Sequence, residues 1–101
     1  MNGRKPTKKE AERLDAIQEL GCIVCRDHLS MFSPCEIHHI NGGSNHMETL
    51  GLCWFHHRAG IRNEFAVSRH PYKAEWAKRY GTEKELLAKT NELLMKDTIC
   101  Q

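Results

Sequence analysis

The sequence predicts a small α+β fold, with short antiparallel strands flanked by helices and a core cross-linked through cysteine and histidine side chains. Three observations predict it. Apolar residues recur at helical spacing near both ends of the chain. The stretch between them is short, glycine-bearing and reads as strand, turn and strand. That same stretch carries two pairs at C-x-x-C or C-x-x-H spacing, Cys22 with Cys25 and Cys53 with His56. The chain has 101 residues, 40% of them hydrophobic. That suits one domain with a modest core, and small domains often need a staple.

The elements follow in order. Residues 1–8 form a basic tail, and Arg4, Lys5, Lys8 and Lys9 crowd the start of the chain. Thr7 and Glu10 make a T-x-x-E capping box behind Pro6. Ala11, Leu14, Ile17 and Leu20 then repeat at helical spacing, and Gly21 is placed to end the helix. Residues 21–60 read as a loop from Cys22, a short strand from Glu36 to Ile40, and a turn at Asn41, Gly42 and Gly43. A second short strand near Leu50 to Leu52 and a short helix from about Trp54 complete this part. Residues 68–97 are helical. Pro71 suits the first turn of a helix running to Tyr80, with Gly81 to end it. Thr82 and Glu85 cap a last helix whose apolar face holds Leu86, Leu87, Leu93 and Leu94. Trp54, Phe55, Phe65, Trp76 and Tyr80 are expected in the core, because so small a domain needs aromatic burial.

The cysteine spacing carries the first chemistry. Two knuckles, Cys22/Cys25 and Cys53/His56, meeting around one ion would make a closed tetrahedral Cys3His site of the kind structural zinc favours. Redox chemistry is the rival reading of C-x-x-C, but the strand-helix context it needs is missing. Buried thiols without a metal are the plainer reading. Cys35 is an alternative ligand, and Cys100 is expected to be a free thiol without a role. The second chemistry lies in "CEIHHINGGSNH". Adjacent side chains on a strand point to opposite faces, so His38 and His39 are expected to divide their labour. His57 is left over beside His56.

The order is strand with His-His, glycine turn, short strand, then helix with His. It resembles the HNH endonuclease motif, a ββα-metal fold. The matching residues read His38-His39, Gly42-Gly43, Thr49-Leu50 and Leu52-Cys53-x-x-His56-His57. The resemblance implies that His38 and His57 hold a catalytic divalent ion (Mg2+, Mn2+ or Zn2+) and that His39 is the general base. Thr49 stands where the motif has asparagine. The stretches "GCIVCR", "SPCEIHHI", "LCWFHHRAG", "SRHP" and "EWAKRYGTEKELL" together resemble the phage recombination-enhancement, RecA-dependent nuclease (Ref) family, from about Gly21 to Leu94. That resemblance implies a DNA endonuclease acting where a RecA-type recombinase filament is loaded, leaving a 5′ phosphate and a 3′ hydroxyl. It also implies a phage or prophage protein. His46 and His70 match histidines of the same pattern and are candidates for further metal ligands, with turn or helix capping as their plainer roles.

Charge and composition set the partners. The net charge of +2 permits nucleic-acid binding without demanding it. Arg58, Arg62, Arg69 and Lys73 lie close in sequence to the proposed site and are expected to track the DNA backbone. No recognition helix is evident, so little sequence specificity is expected. The chain has no long apolar run, which points away from the membrane and toward the cytoplasm. Two other classes remain. One is a zinc-stapled DNA-binding module without catalysis, which would have no need of a base beside a metal ligand. The other is an interaction protein that docks through its leucine-rich last helix.

Overall fold

The computed structural model describes residues 5–40 and 45–99, with side chains to residue 96. Helix α1 spans Lys8–Leu20. Thr7 caps it as the sequence predicts: its side chain accepts from the Glu10 N–H at 3.2 Å, and Glu10 accepts from the Thr7 N–H at 2.8 Å. Gly21, at φ 83°, ends it. An added Cβ there would meet the Ser33 carbonyl at 2.6 Å, so a side chain is excluded by space as well as by conformation.

Helix α2, Ile23–Leu29, occupies ground expected to be loop. Its N-cap is Cys22, whose sulfur accepts from the Cys25 N–H at 3.4 Å, and Ser30 in the left-handed region ends it. The C-x-x-C knuckle is thus the first turn of a helix. Strands β1, Glu36–His39, and β2, Thr49–Leu52, pair antiparallel in the register His38 to Leu50 and His39 to Thr49. Ile40 leaves the strand but keeps its backbone bond to the Glu48 carbonyl at 3.0 Å. The expected turn at Asn41, Gly42 and Gly43 lies outside the described residues, as do Arg4 and Cys100.

Helix α3 is a single turn, Trp54–His57. Helix α4 spans Lys73–Tyr80. Pro71 therefore precedes this helix rather than joining its first turn: Tyr72, at φ −96° and ψ 52°, is the N-cap, and the His70–Pro71 peptide bond is cis. Helix α5, Glu83–Ile99, starts from the Thr82/Glu85 capping box. Among the described residues the architecture is α+β: a two-stranded antiparallel sheet surrounded by helices.

The core joins Ile23, Val24, Leu50, Leu52, Val67, Trp76 and Leu86, with Leu87 and Leu93 packed against it. All four residues of β2 are buried. Gly51 lets that strand pass close beneath α1; a Cβ there would lie 2.7 Å from Cys35 Sγ and 2.7 Å from the Gly21 carbonyl. Arg13 ties three elements together. It donates to Thr49 Oγ1 at 3.2 Å, to the Thr49 carbonyl at 3.0 Å and to Asn91 Oδ1 at 2.8 Å. The aromatics divide. Trp76 and Tyr80 are buried, whereas Trp54, Phe55 and Phe65 are exposed, against expectation. One turn of helix has one inward side, and in α3 His56 takes it, leaving Trp54 and Phe55 outside. Phe65 sits in a loop held by Asn63, whose side chain accepts from the Phe65 and Ala66 N–H groups. No helix of the described residues is long and apolar enough to cross a membrane.

Candidate metal centres

Two clusters of ligating side chains form at the ends of α3. In the first, Cys22, Cys25, Cys53 and His56 are all buried, with one ligand atom of each within 4.8 Å of the others. Cys53 Sγ lies 3.2 Å from His56 Nδ1, Cys25 Sγ 3.6 Å from it and Cys22 Sγ 3.8 Å from it; Cys25 and Cys53 sulfurs are 3.8 Å apart. A zinc tetrahedron with Zn–S near 2.3 Å and Zn–N near 2.0 Å has edges of about 3.3–3.8 Å. The spacing and the donor set both fit such an ion. Contacts with Cys22 and His56 hold the Cys53 thiol well below its ordinary range, so the cluster favours a thiolate at Cys53. Cys22 shifts the opposite way, through its bond to Cys53 and burial. Cys35 is not among the converging atoms. Its thiol donates to the Ile17 carbonyl at 3.5 Å, and burial pushes it up to about 11.

The second cluster joins His38, His57 and His70, again with one nitrogen of each within 4.8 Å of the others. Their ring centroids form a nearly equilateral triangle of 5.1, 5.3 and 5.4 Å. His38 comes from β1, His57 from the last position of α3 and His70 from the loop before α4. Backbone bonds from Arg69 to the His56 carbonyl, at 3.0 Å, and from His70 to the His57 carbonyl, at 2.8 Å, bring that loop alongside α3. Burial lowers the pKa of His38 and of His70, aided at His70 by the positive charge of Arg69. Both imidazoles are thereby biased to the neutral form that binds metal. Three convergent imidazoles suit a borderline divalent ion and leave coordination positions for water or substrate.

His39 is turned away from this triangle, as strand alternation requires. Its Nε2 lies 3.1 Å from Nδ1 of His46, with ring centroids 5.2 Å apart. Of the two extra histidines expected near the metal, His70 joins the triangle and His46 meets His39 instead. Thr49 does not bond His39; its hydroxyl donates to the His46 carbonyl at 2.9 Å and so holds the residue that does.

The basic residues expected on DNA are engaged by carboxylates. Arg58 bonds Glu36 at 2.9 and 2.7 Å, Arg69 bonds Glu83 at 3.1 Å, Lys73 stands 3.9 Å from Glu83, and Arg62 pairs with Glu75 at 3.6 Å. Arg58, Arg62 and Lys73 remain more than half exposed, whereas Arg69 is 12% exposed.

A model of the recombination enhancement, RecA-dependent nuclease family matches residues 6–95. The chain belongs to that family. Membership carries nuclease activity in recombination, and with it DNA as the substrate class and involvement of RecA. The matched residues embrace both clusters of ligating side chains and the His39–His46 pair.

Two residues of the nuclease's second cluster escaped the sequence reading. Glu36 accepts from His57 Nδ1 at 2.8 Å, and Glu83 accepts from His38 Nε2 at 2.6 Å. Glu36 had a signal: it stands two residues before His38 on one strand, hence on the same face. Glu83 had none, because only tertiary folding brings the start of α5 against β1. A groove of about 720 Å3 along α1 and α5, near Ala16, Leu94 and Met95, has none of the clustered cysteines or histidines in its walls. A long polyanion read at its backbone needs an open face rather than an enclosed pocket.

Proposed function

We propose that this chain is an HNH-type DNA endonuclease that hydrolyses phosphodiester bonds at the His38–His57–His70 cluster, with Cys22, Cys25, Cys53 and His56 holding a structural zinc. The observation that carries the reading is the separation of the neighbours His38 and His39. One enters a three-imidazole cluster; the other faces away from it toward His46.

A divalent ion bound there would supply positive charge to a non-bridging phosphate oxygen and to the leaving oxygen. The protein residues supply the rest. His38, His57 and His70 offer ring nitrogens from three different segments, so the cluster forms only when those segments are assembled. His39 takes a proton from the attacking water. Burial first, and the neighbouring His46 next, lower its pKa, so its lone pair is free near neutral pH. His46 fixes the ring of His39, and Thr49 anchors His46 through its backbone. Exposed Arg58, Arg62 and Lys73 are the cations we assign to the phosphate backbone.

The test is nicking of supercoiled plasmid with Mg2+, Mn2+ or Zn2+, with and without a RecA-type filament. Cleavage that needs a divalent ion and rises on filament-bearing DNA is the expected result. Binding of DNA without cleavage under any ion would reduce the chain to a zinc-stapled binding module.

A further inference from the structure

A histidine ligand must present a lone pair on one ring nitrogen, so its other nitrogen carries the proton and needs an acceptor. Both ring orientation and tautomer are then set by that acceptor. In the second cluster two histidines have such an acceptor. Glu36 Oε1 lies 2.8 Å from His57 Nδ1, and Glu83 Oε2 lies 2.6 Å from His38 Nε2. An ionised carboxylate has no proton to give, so each imidazole is the donor. This leaves Nε2 of His57 and Nδ1 of His38 with the lone pairs.

The carboxylates are themselves held. Arg58 grips Glu36 through Nε at 2.9 Å and a terminal nitrogen at 2.7 Å. Arg69 holds Glu83 through Nε at 3.1 Å. The two chains of contact, Arg58–Glu36–His57 and Arg69–Glu83–His38, have the same order, and each arginine is the sequence neighbour of a clustered histidine. We propose that Glu36 and Glu83 are positioning residues of the His38–His57–His70 metal site, and that Arg58 and Arg69 serve it by fixing those two carboxylates. The inference rests on the metal-site reading above. Each carboxylate is gripped by an arginine, and a carboxylate held as an anion raises the basicity of the imidazole that donates to it.

The experiment is calorimetric titration of Zn2+ into folded protein that already carries one zinc per chain. The nitrogen NMR signature of the His57 tautomer is read in parallel. Glu36→Gln should weaken the second ion about 10–100-fold and mix the His57 tautomers. Glu83→Asp, which keeps the charge but draws it back from His38, should weaken the same ion. Glu75→Gln removes an ion pair to Arg62 outside the cluster and should change nothing. Unchanged second-ion affinity in Glu36→Gln and Glu83→Asp would overturn the inference while leaving the metal site standing. A wild-type chain that takes up no second ion would remove the metal site and the inference with it.

Discussion

His38 and His39 are joined by one peptide bond and have different surroundings. His38 is 4% exposed, bonded to Glu83 and ringed by two other imidazoles. His39 is only partly buried and meets His46 alone among the described rings. The difference predicts different failures. His39→Ala should abolish nicking yet leave metal content, fold and DNA affinity nearly intact, because a general base acts in the transition state rather than in binding. His57→Ala and His38→Ala should lose the second ion as well as activity. His38→Asp, with a harder oxygen ligand, should shift metal preference toward Mg2+. Nicking rate measured beside metal stoichiometry separates these outcomes; an ion lost from His39→Ala and kept by His38→Ala would reverse the roles. His46→Ala should lower the rate without touching metal content, and His46→Asn, which keeps a polar group where Nδ1 stands, should restore part of it. A second ion lost from His46→Ala would make His46 a ligand after all. Strand alternation and ligand spacing are local, which is why the divided pair and the first cluster were legible in the sequence. The partners of the pair were less so. Glu83 lies 45 residues beyond His38, and His46 lies across the β1–β2 connection.

At the scale of elements, the cysteine and histidine knuckles stand in for packing that short helices lack. Helix α2 has seven residues and α3 has four, well below what is stable alone. Their cysteines and histidine tie them to each other beside β2, and the buried Trp76 and Tyr80 of α4 close the cluster from another side, with His56 and Tyr80 rings 5.1 Å apart. Cys22→Ser or Cys53→Ser should therefore release the first ion and unfold or strongly destabilise the chain. Zinc analysis of the soluble fraction and a thermal melt check this; folded, zinc-free protein would refute it. Trp76→Ala should cost about 3–5 kcal/mol by opening a cavity at a fully buried ring. Capping boxes announced α1 and α5 because their signals are side chains in the first turn. Helix α2 gave no such warning: its cap is a cysteine, a residue whose capping is incidental to its place in the metal cluster. The aromatic residues misled for a related reason. Composition says how many apolar rings there are, but the direction of a one-turn helix decides which of them face inward.

Across the whole molecule, protonation and assembly are linked through three imidazoles. His38, His39 and His70 have their pKa lowered below the ordinary 6.5, each first by burial. Above 6.5 they are neutral folded or unfolded. As pH falls below 6.5 the unfolded chain takes up protons that the folded one resists, so stability declines until the lowered folded values are passed. Glu36, held near 2 against an ordinary 4.5, adds a second loss below 4.5. The melting temperature should be flat from pH 8 to about 6.5 and fall steadily toward pH 5. Bound metal would act in the same direction, since protons compete for the same nitrogens. A melting temperature that stays level to pH 5 would show that these histidines are not held neutral by the fold.

Helix α3 gives His56 to one cluster and the next residue, His57, to the other. With both clusters loaded as proposed, stripping the metal would not be a single event. A chelator should first draw ions from the open, all-nitrogen cluster, and adding the metal back at once should restore nicking. Prolonged exposure that reaches the buried thiolate cluster would let α3 unwind and scatter His57 as well. From that point the same ion, added back, would find neither His57 nor the His70 loop that α3 holds in place. The time course of chelation, followed by rescue at intervals, should show an early reversible phase and a later one in which recovery depends on refolding around zinc.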